Sequence, residues 1–472
     1  MGKATGKNGW KLKQSKMSKA TGAESSISER PISLGPRRLA EWINPTGTRK
    51  VHSLVDKVYK MSNLQVAWLK VQENKGAGGV DDQSIKSFAE NASKHLQRLQ
   101  DELKTNTYKP LPVLEHKIPK AGQPGKWRKL GIPTIYDRVC QQALLTRMEP
   151  IFEKIYDESS FGYRKGRSTK DALRKVWREV QDGNEWIVDA DLADFFGSAD
   201  HEKVITLLNQ QISDGRVLGL IKEMLKGGCM TENGFVAAET GVVQGGVISP
   251  MISNVLLTPF DREMRRKGYQ LTRYADDWVV TCKTNADARG ALGEAVKILT
   301  KLGVTLHGQK TRIVHIKEGF EFLGFKIKRG TKQLRLSAEK IKSKTVQGML
   351  YAYPKEGSIK RFKEQVRTRT SRKTGICTFE LIQRLNPLIR GWGQYYCKAH
   401  VRKLFNQLSR WILRRIWSHK FKRWRNAGWK SLPEKMLYSE YGLVNLMYLI
   451  PSIKLKGNIL MKARCGKTAR RV

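Results

Sequence analysis

The chain has 472 residues, and its 88 Lys and Arg residues against 43 Asp and Glu residues give a formal net charge of +45. With 40% hydrophobic residues it has enough apolar material for sizeable cores, which excludes a disordered protein. The charge excludes an ordinary metabolic enzyme and indicates a nucleic-acid partner, because such a surplus repels itself unless a polyanion neutralises it.

The positive charge is concentrated in the last third of the chain. Residues 331–472 carry 34 Lys and Arg against 6 Asp and Glu, which predicts a surface for a polyanion. An anionic membrane is the alternative partner. The longest apolar run, residues 441–450, contains Asn445 and is about half the ~20 residues that a membrane span needs, so we expect no membrane association.

The N-terminal 50 residues predict a flexible basic arm. They are rich in Lys, Gly and Ser, and they lack the apolar segment of a secretory signal. Organellar transit peptides favour Arg, whereas no Arg precedes Arg30, so a bacterial cytoplasmic location is favoured over an organellar one. Six cysteines without a CxxC pair argue against a zinc module and a disulfide framework.

Helices and a hairpin are predicted next along the chain. From Val51 the apolar spacing is helical up to the turn-rich residues 75–82, and a second helix covers Lys94 to Leu103. The prolines of residues 108–135 favour extended segments, with the Gly-Gln-Pro-Gly turn at the tip of a hairpin. A helix from Asp137 to Phe152 is expected to follow.

The middle of the chain mixes strands and helices. Residues 186–192, 270–282 and 321–325 are predicted to be strands, and the absence of a regular βαβ repeat indicates the α+β class. Beyond them the pattern is helical, and residues 401–421 place apolar side chains on one face and cations on the other.

Adjacent acids in a short turn give the sharpest chemical signal. Asp276 and Asp277 lie between two apolar strand segments, and a solvated turn is an equally good interpretation of the motif alone. Asp191 ends a third apolar segment, so its carboxylate is able to face the turn across a sheet. Three converging carboxylates repel one another unless divalent cations bind them. Two Mg²⁺ ions bound there would support nucleotidyl transfer.

Ordered sequence blocks extend this interpretation. They are NKGAGGVDD, KWRKLGIPTIYDRVCQQAL, SSFGYRKGRSTKDAL, VDADLADFFGSADHEKV, GVVQGGVISPMISNVL, RYADDWVV, the Lys310-Thr311 pair, GFEFLGF and PLIRGWGQYY. In these blocks the chain resembles group II intron-encoded reverse transcriptases, which also act as maturases. The last block is similar to a thumb segment that many other reverse transcriptases lack.

The resemblance implies a right-hand polymerase fold. It assigns the arm to residues 1–50, the fingers and palm to 51–330, and a helical thumb and maturase domain to 331–410. Residues 411–472 are expected to be a basic helical region that binds DNA or RNA. The chain reaches Val472 without the Cys pairs and His/Asn cluster of the HNH endonuclease of many relatives, so no second-strand cleavage is expected.

The resemblance also implies roles for single residues at the reaction centre. Asp191, Asp276 and Asp277 would bind the two Mg²⁺ ions, with the Leu192 carbonyl as a further ligand. Phe196 resembles the steric gate that selects dNTPs, although an aromatic residue there also suits a core.

Further residues are expected to contact the incoming nucleotide. Lys120 and Arg128 flank the hairpin tip and would bind the triphosphate, with a solvated basic hairpin as the alternative. Gln244 would lie beside the sugar and template. Lys310 resembles a palm lysine near the primer end, and an exposed lysine is almost as good an interpretation.

Several cations are expected to bind nucleic acid. Arg164, Lys165 and Arg167 would contact template phosphates, with a solvated surface cation as the alternative for any one of them. Arg410 and Arg414 belong to the basic C-terminal helices. The tryptophans of this region could stack on bases, but Trp392 and Trp411 are better explained as helical core.

Three functions fit these features. The first is an enzyme that binds its intron RNA, assists splicing and copies that RNA into cDNA, with target DNA and dNTPs as further partners. The second is a splicing-only maturase, which the three acids disfavour, and the third is a domesticated reverse transcriptase of phage defence or spacer acquisition, which the thumb block disfavours. Whether the protein forms a homodimer stays open.

Overall fold

A computed structural model describes residues 50–119, 125, 127–330, 349–423 and 428–451. Residues 1–49 of the predicted basic arm, Lys120, Trp424 and the C-terminal residues 452–472 lie outside this range.

Within the described residues, helices and strands alternate irregularly along the chain. The helices are α1 Val55–Tyr59, α2 Met61–Glu73, α3 Ile85–Glu90, α4 Ala92–Thr105, α5 Ile135–Phe152, α6 Thr169–Gln181, α7 Phe195–Ser198, α8 His201–Asn209, α9 Gly215–Lys226, α10 Ser249–Arg266, α11 Asn285–Leu302, α12 Glu356–Arg369, α13 Thr378–Tyr396, α14 Arg402–Phe421, α15 Glu434–Ser439 and a 3₁₀ helix at Leu446–Leu449. The strands are β1 Val113–Pro119, β2 Trp127–Ile132, β3 Trp186–Ala193, β4 Cys229–Thr231, β5 Gly234–Val236, β6 Gln270–Tyr274, β7 Asp277–Cys282, β8 Thr305–Leu306, β9 Arg312–His315, β10 Phe320–Phe322, β11 Phe325–Arg329 and β12 Leu350–Pro354.

The N-terminal half follows the sequence pattern closely. The helical stripe that begins near Val51 is divided at Lys60, whose extended backbone separates α1 from α2. The helix predicted from Asp137 begins at Ile135, because the Thr134 hydroxyl accepts the Asp137 backbone N–H and caps it. The predicted hairpin is confirmed: β1 and β2 pair in antiparallel register from Leu114 opposite Ile132 to Pro119 opposite Trp127.

A central sheet organises the middle of the chain. Its strand order is β6-β7-β3-β8, and β9 also pairs with β3. Because side chains alternate along a strand, β3 and β7 bury one set of residues in a first core. That set is Val188, Ala190, Trp278 and Val280. Ile187 and Val279 point to the opposite face, where they join a second core.

The single strand predicted over residues 321–325 is wrong. Phe322 pairs with Phe325 across a two-residue turn, so β10 and β11 form a hairpin there. Leu323 and Gly324 both adopt positive φ, +47° and +77°, which only glycine favours. The leucine gives no sequence signal for such a turn, so the apolar run suggested a continuous strand. β11 then pairs with β12 to complete a sheet.

The helices after β12 complete the second core. On α14 the predicted apolar face is confirmed, with Phe405, Leu408 and Ile412 buried and Trp411 half-buried. Trp392 of α13 stacks on Phe362 with 4.5 Å between ring centroids, as expected of a core residue. None of the helices in the described ranges is both long enough and apolar enough to cross a membrane.

Candidate active site

The three predicted acids meet at one end of the central sheet. Asp191 lies directly opposite Asp277 in the antiparallel register of β3 and β7, and Asp276 precedes β7 in the turn. All three line a cleft of about 510 Å³, together with Arg128 and Lys310. The structure therefore brings together five residues that the sequence predicted to act on one reaction.

A strained turn carries two of these acids. Tyr274 pairs with Asp277, so Ala275 and Asp276 form a two-residue hairpin loop. Ala275 has a φ of +60°, a conformation that costs an L-residue roughly 1–3 kcal/mol. The Nη1 of Arg273 donates to the Ala275 carbonyl at 2.9 Å, which fixes the turn from inside the protein.

The acids perturb one another's ionisation. Burial, followed by the charges of Asp189 and Asp191, raises the pKa of Asp277 to about 7, although the Leu323 backbone N–H donates to its carboxylate. Burial also raises the pKa of Asp276, and the charge of Asp191 adds to that rise. Crowded acids with raised pKa values are characteristic of functional sites, because binding of a cation relieves their repulsion.

Lys310 supplies a cation to this cluster. Its ammonium donates to Oδ2 of Asp191 in an ion pair. In the part of the chain that the structure describes, no group of three or more His, Cys, Asp or Glu side chains is arranged to hold a metal ion. The Asp191 carboxylate is turned to Lys310. The donor set nevertheless suits Mg²⁺ chemically, since it consists of hard carboxylate oxygens.

The strand geometry of β3 orients the Leu192 carbonyl to the edge that pairs with β7. The Asp191 carbonyl accepts the His307 backbone N–H at 2.9 Å, on the edge of β3 that faces β8. Successive carbonyls of a strand point to opposite edges, so the Leu192 carbonyl faces the edge of β3 just beyond Asp277, the first residue of β7.

Two further ion pairs line the cleft and were not predicted. Arg312 donates to Asp189 at 2.8 Å, and Lys355 pairs with Glu321. Asp189 precedes Asp191 by two residues, so the alternation of β3 was a signal that could have identified it. The partners come from strands far along the chain, and nothing local in the sequence indicates them.

The predicted gate, Phe196, is a neighbour of the glycine loop, which consists of Gln244, Gly245 and Gly246. The Phe196 carbonyl accepts the Val242 N–H at 2.6 Å, and the Gln244 carbonyl accepts the Gly131 N–H at 2.8 Å. Both side chains are half-buried, and among the described residues neither belongs to the lining of the cleft. Gly245 has a φ of +114°, and a Cβ there would lie 2.6 Å from the Gly131 carbonyl oxygen, so glycine is required.

The three residues predicted to contact the template differ in exposure. The Arg164 side chain is only 4% exposed and is held by Glu153 and by the carbonyls of Asp157 and Ser160, so its charge is directed into the protein. Lys165 is 76% exposed and pairs with Glu149. Arg167 is half-buried, lies over the Phe161 ring and donates to the Ser160 carbonyl.

A basic and aromatic sheet face lies on β11 and β12 and was not predicted from the sequence. In the register of β11 and β12, Lys326 is opposite Tyr353 and Lys328 is opposite Tyr351. Both lysines are exposed, and Tyr353 is 41% exposed. The two tyrosine rings are stacked, 5.9 Å apart and inclined by 12°. The next residue but one on this face, Lys355, lines the cleft, so the face is continuous with it.

The basic C-terminal helices present cations to solvent. Arg410 and Arg414 are exposed on α14. The cations of Lys363 and Arg367 lie 5.9 and 5.8 Å from the centroid of the Trp411 ring. Trp411 therefore packs against the second core and also contacts two cations.

Two family models match the chain. Residues 118–327 match the model described as "Reverse transcriptase (RNA-dependent DNA polymerase)". Residues 359–437 match the model described as "Group II intron, maturase-specific domain".

Similar curated proteins include two from bacteria. The protein YkfC of Escherichia coli strain K12 is 32% identical over 337 residues, which cover 63% of this chain and 88% of YkfC. The group II intron-encoded protein LtrA of Lactococcus lactis subsp. cremoris is 27% identical over 424 residues, which cover 73% of this chain and 69% of LtrA.

Solved structures with local similarity include a partial Cas6-RT-Cas1–Cas2 complex. The match has 20% sequence identity and a TM-score of 0.35, and it covers 58% of this chain. The chain spans less than half of that solved chain, 46% of its length.

Proposed function

Because this chain belongs to the group II intron-encoded reverse transcriptases, which carry a maturase domain, we propose that Asp191, Asp276 and Asp277 form its polymerase site. The chain is an RNA-directed DNA polymerase, and its maturase domain binds intron RNA. The observation that carries the proposal is that the three acids line one cleft, near the point where β3 ends and the antiparallel β7 begins. In this site dNTPs are joined to a primer on the intron RNA template.

The three carboxylates would hold two Mg²⁺ ions, with the Leu192 carbonyl as an additional ligand. When bound, the ions lower the pKa of the primer 3′-hydroxyl and stabilise the charge on the phosphoryl oxygens. Asp191 has to leave the Lys310 ammonium to join this set. The released Lys310 then faces the cleft as a free cation beside the primer end and the triphosphate.

Cations of the fingers bind the triphosphate in this proposal. Arg128 lines the cleft, and its charge lowers the pKa of Asp276 against the effect of burial. Its planar guanidinium is able to bind two phosphate oxygens at once. Lys120, which lies outside the described residues, would serve as the second cation of the clamp.

The sugar and base of the dNTP are selected by the neighbouring loops. Phe196 packs under the sugar and excludes a 2′-hydroxyl, while Gln244 lies beside the sugar and template. Support comes from the hydrogen bond between Phe196 and Val242, which ties the gate to the glycine loop. Gly245 lets the backbone approach closely, because a side chain there would meet the Gly131 carbonyl.

Nucleic acid leaves the cleft over basic surfaces. Lys326, Lys328, Tyr351 and Tyr353 form an exposed face next to Lys355 and the cleft. Tyrosines stack on bases of any sequence, and lysines bind the backbone. Lys165, Arg167, Arg410 and Arg414 extend the positive surface to the intron RNA and to the target DNA of retrohoming. The bacterial relatives favour the cytoplasm as the location.

Primer extension on an RNA template with Mg²⁺ and dNTPs tests the proposal. The parent protein should extend the primer, whereas Asp276→Ala combined with Asp277→Ala should not, because the site then lacks two of its three carboxylates. The control is Glu73→Ala combined with Glu90→Ala, which removes the same charge from exposed positions and should leave extension intact.

Filter binding to the intron RNA accompanies the extension assay. Both variants should retain the parent affinity, since neither pair lies on the proposed RNA surface. RNA binding without extension by the parent protein would contradict the polymerase proposal and favour the splicing-only maturase. Sedimentation of the same preparation decides between a monomer and the homodimer that the sequence left open.

A further inference from the structure

We propose that the buried pair of Arg273 and Asp261 is the device that positions the catalytic turn, which makes Arg273 a positioning residue for the polymerase reaction. The inference rests on the proposed function of Asp276 and Asp277. It concerns residues behind the cleft, which touch neither substrate nor metal.

The five N–H groups of the Arg273 guanidinium all have acceptors. Nε and Nη2 donate to the two carboxylate oxygens of Asp261 at 2.7 and 2.6 Å. Nη1 donates to Oδ1 of Asn254 at 3.1 Å and to the Ala275 carbonyl at 2.9 Å. Nη2 also donates to Oγ of Ser160 at 2.8 Å.

The whole network is sealed from water. Arg273, Asp261, Asn254 and Ser160 each have 0% exposure. A buried ion pair contributes little net stability, because the loss of hydration offsets the attraction of the charges, and apolar residues of similar volume often serve the fold as well. Stability of the fold therefore does not explain why these two charges are buried. The hydrogen bond from Arg273 to the Ala275 carbonyl of the turn does explain it.

Ala275 needs such support. Its positive φ is unfavourable, and structures keep such a residue only where the surroundings over-determine its conformation. From one side Gly162 presses on the turn, since a Cβ on it would lie 2.3 Å from the Ala275 nitrogen. From the inside Arg273 holds the Ala275 carbonyl. Asn254 joins the two contacts, because its Nδ2 donates to the Gly162 carbonyl at 2.9 Å.

The network thus connects α10 and the segment around Gly162 to the loop that carries Asp276 and precedes Asp277. Two backbone hydrogen bonds add to this connection, from Arg273 N to Ser159 O and from Phe161 N to Arg273 O, both 2.9 Å. Loss of the guanidinium leaves the acids in place in the sequence but frees the turn to relax. A displacement of about 1 Å at a reaction centre lowers the rate about 100-fold.

The test compares the parent protein with Arg273→Met combined with Asp261→Leu. This double variant removes both buried charges and keeps apolar volume, so it should fold. Its thermal unfolding midpoint should be lower than that of the parent, because the Asn254 Oδ1 and the Ala275 carbonyl lose their donor. We expect kcat for primer extension to fall about 100-fold and the Mg²⁺ requirement to rise. The KM for dNTP should stay within about threefold, because Arg128 and Phe196 are untouched.

A second variant, Arg273→Lys, tests the inference if the double variant does not fold. Arg273→Lys keeps the ion pair, but an ammonium has three N–H groups and cannot serve four partners. It should lower kcat about tenfold or more with the dNTP KM unchanged. Tyr108→Phe is the control, since it removes the buried 2.6 Å hydrogen bond to Asp137 elsewhere in the protein and should leave kcat unchanged.

The outcomes separate this inference from the proposed function. If either folded Arg273 variant has the kcat and Mg²⁺ requirement of an active parent, the network is merely structural and the inference is overturned. If the parent protein itself extends no primer, the proposed function fails and the inference falls with it.

Discussion

The ammonium of Lys310 forms an ion pair with the carboxylate of Asp191 at the edge of the cleft. Asp191 is also the residue that lies opposite Asp277 in the central sheet. A protein cation therefore stands where a metal ion is proposed to bind, and the two compete for one carboxylate. The ion pair is half-exposed, which limits its strength.

Replacing Lys310 with Met should lower the Mg²⁺ concentration needed for half-maximal extension about two- to fivefold. In the parent, Mg²⁺ binding has to break the ion pair of Lys310 with Asp191, and a half-exposed ion pair contributes about 0.5–1 kcal/mol. The variant lacks this ion pair, so Mg²⁺ binds without that cost. At saturating Mg²⁺ the variant should be slower than the parent, because the cation beside the primer end is lost. A titration of extension rate against Mg²⁺ measures both effects.

Lys355→Met is the matched control for this titration. Lys355 lines the same cleft and is similarly exposed, but it pairs with Glu321 rather than with one of the three acids. An equal change of the Mg²⁺ requirement in both variants would show that the net charge of the cleft, and not the pair with Asp191, sets it.

Phe196→Val should admit ribonucleotides. If the ring excludes the 2′-hydroxyl, a smaller side chain should reduce the ratio of kcat/KM for dNTP over rNTP by about 10- to 200-fold. Single-nucleotide extension with matched dNTP and rNTP measures the ratio. Phe195→Leu is the control, because the buried Phe195 ring is a neighbour of Phe196, with 5.4 Å between the ring centroids. If Phe196→Val keeps the ratio of the parent, Phe196 is a core residue and not a steric gate.

Tyr353→Ala should weaken binding of a primer and template that carry an unpaired strand. Stacking of a base on an aromatic ring is worth about 1–3 kcal/mol, so the Kd should rise about tenfold. Tyr353→Phe retains the ring and should bind like the parent. Tyr448→Ala removes a tyrosine that is 83% exposed elsewhere. A similar loss in Tyr448→Ala would mean that any surface tyrosine contributes.

Asp214→Asn should lower the thermal unfolding midpoint. One Asp214 oxygen accepts the N–H groups of Leu54 and Val55 at 2.8 Å, and the other accepts those of Arg216 and Val217. An amide offers one oxygen only, so one pair of donors is left without an acceptor, at a cost of about 2 kcal/mol.

The pH dependence of this effect has a defined sign. Burial raises the pKa of Asp214, but the four backbone N–H groups together outweigh it and hold the pKa below the ordinary value of 3.8. The stabilisation is therefore complete above about pH 4 and is lost as the pH falls through the lower folded value. Asp200→Asn, which removes a charge that accepts one helix N–H, should cost less. If Asp200→Asn lowers the stability as much as Asp214→Asn does, Asp214 acts only as an ordinary helix cap.

The local patterns of the sequence predicted the elements that bring the acids together. The apolar segments around Asp191 and Asp277 read as strands, and the paired strands place the two residues opposite each other. The turn at Leu323 could not be predicted, because its positive φ is imposed by pairing of Phe322 with Phe325 rather than by a local preference.

Ion pairs between residues that are far apart in the sequence could not be predicted either. Arg164 opens a basic run that was predicted to contact template phosphates, yet Glu153 and two carbonyls hold its buried side chain. The Arg312 partner of Asp189 and the Asp261 partner of Arg273 are likewise set by packing of distant elements. Charge and spacing identify such cations but do not indicate whether they face solvent.

The second core has a consequence for dividing this protein into parts. It joins Ile187 and Val279 of the central sheet to Phe362 and Leu385 of the helices that follow β12. One apolar interior thus belongs to both the polymerase sheet and the maturase helices. A truncation after residue 330 would leave the back of the polymerase sheet uncovered and prone to aggregate. Shortened or fused enzymes built from this chain should keep the two segments together.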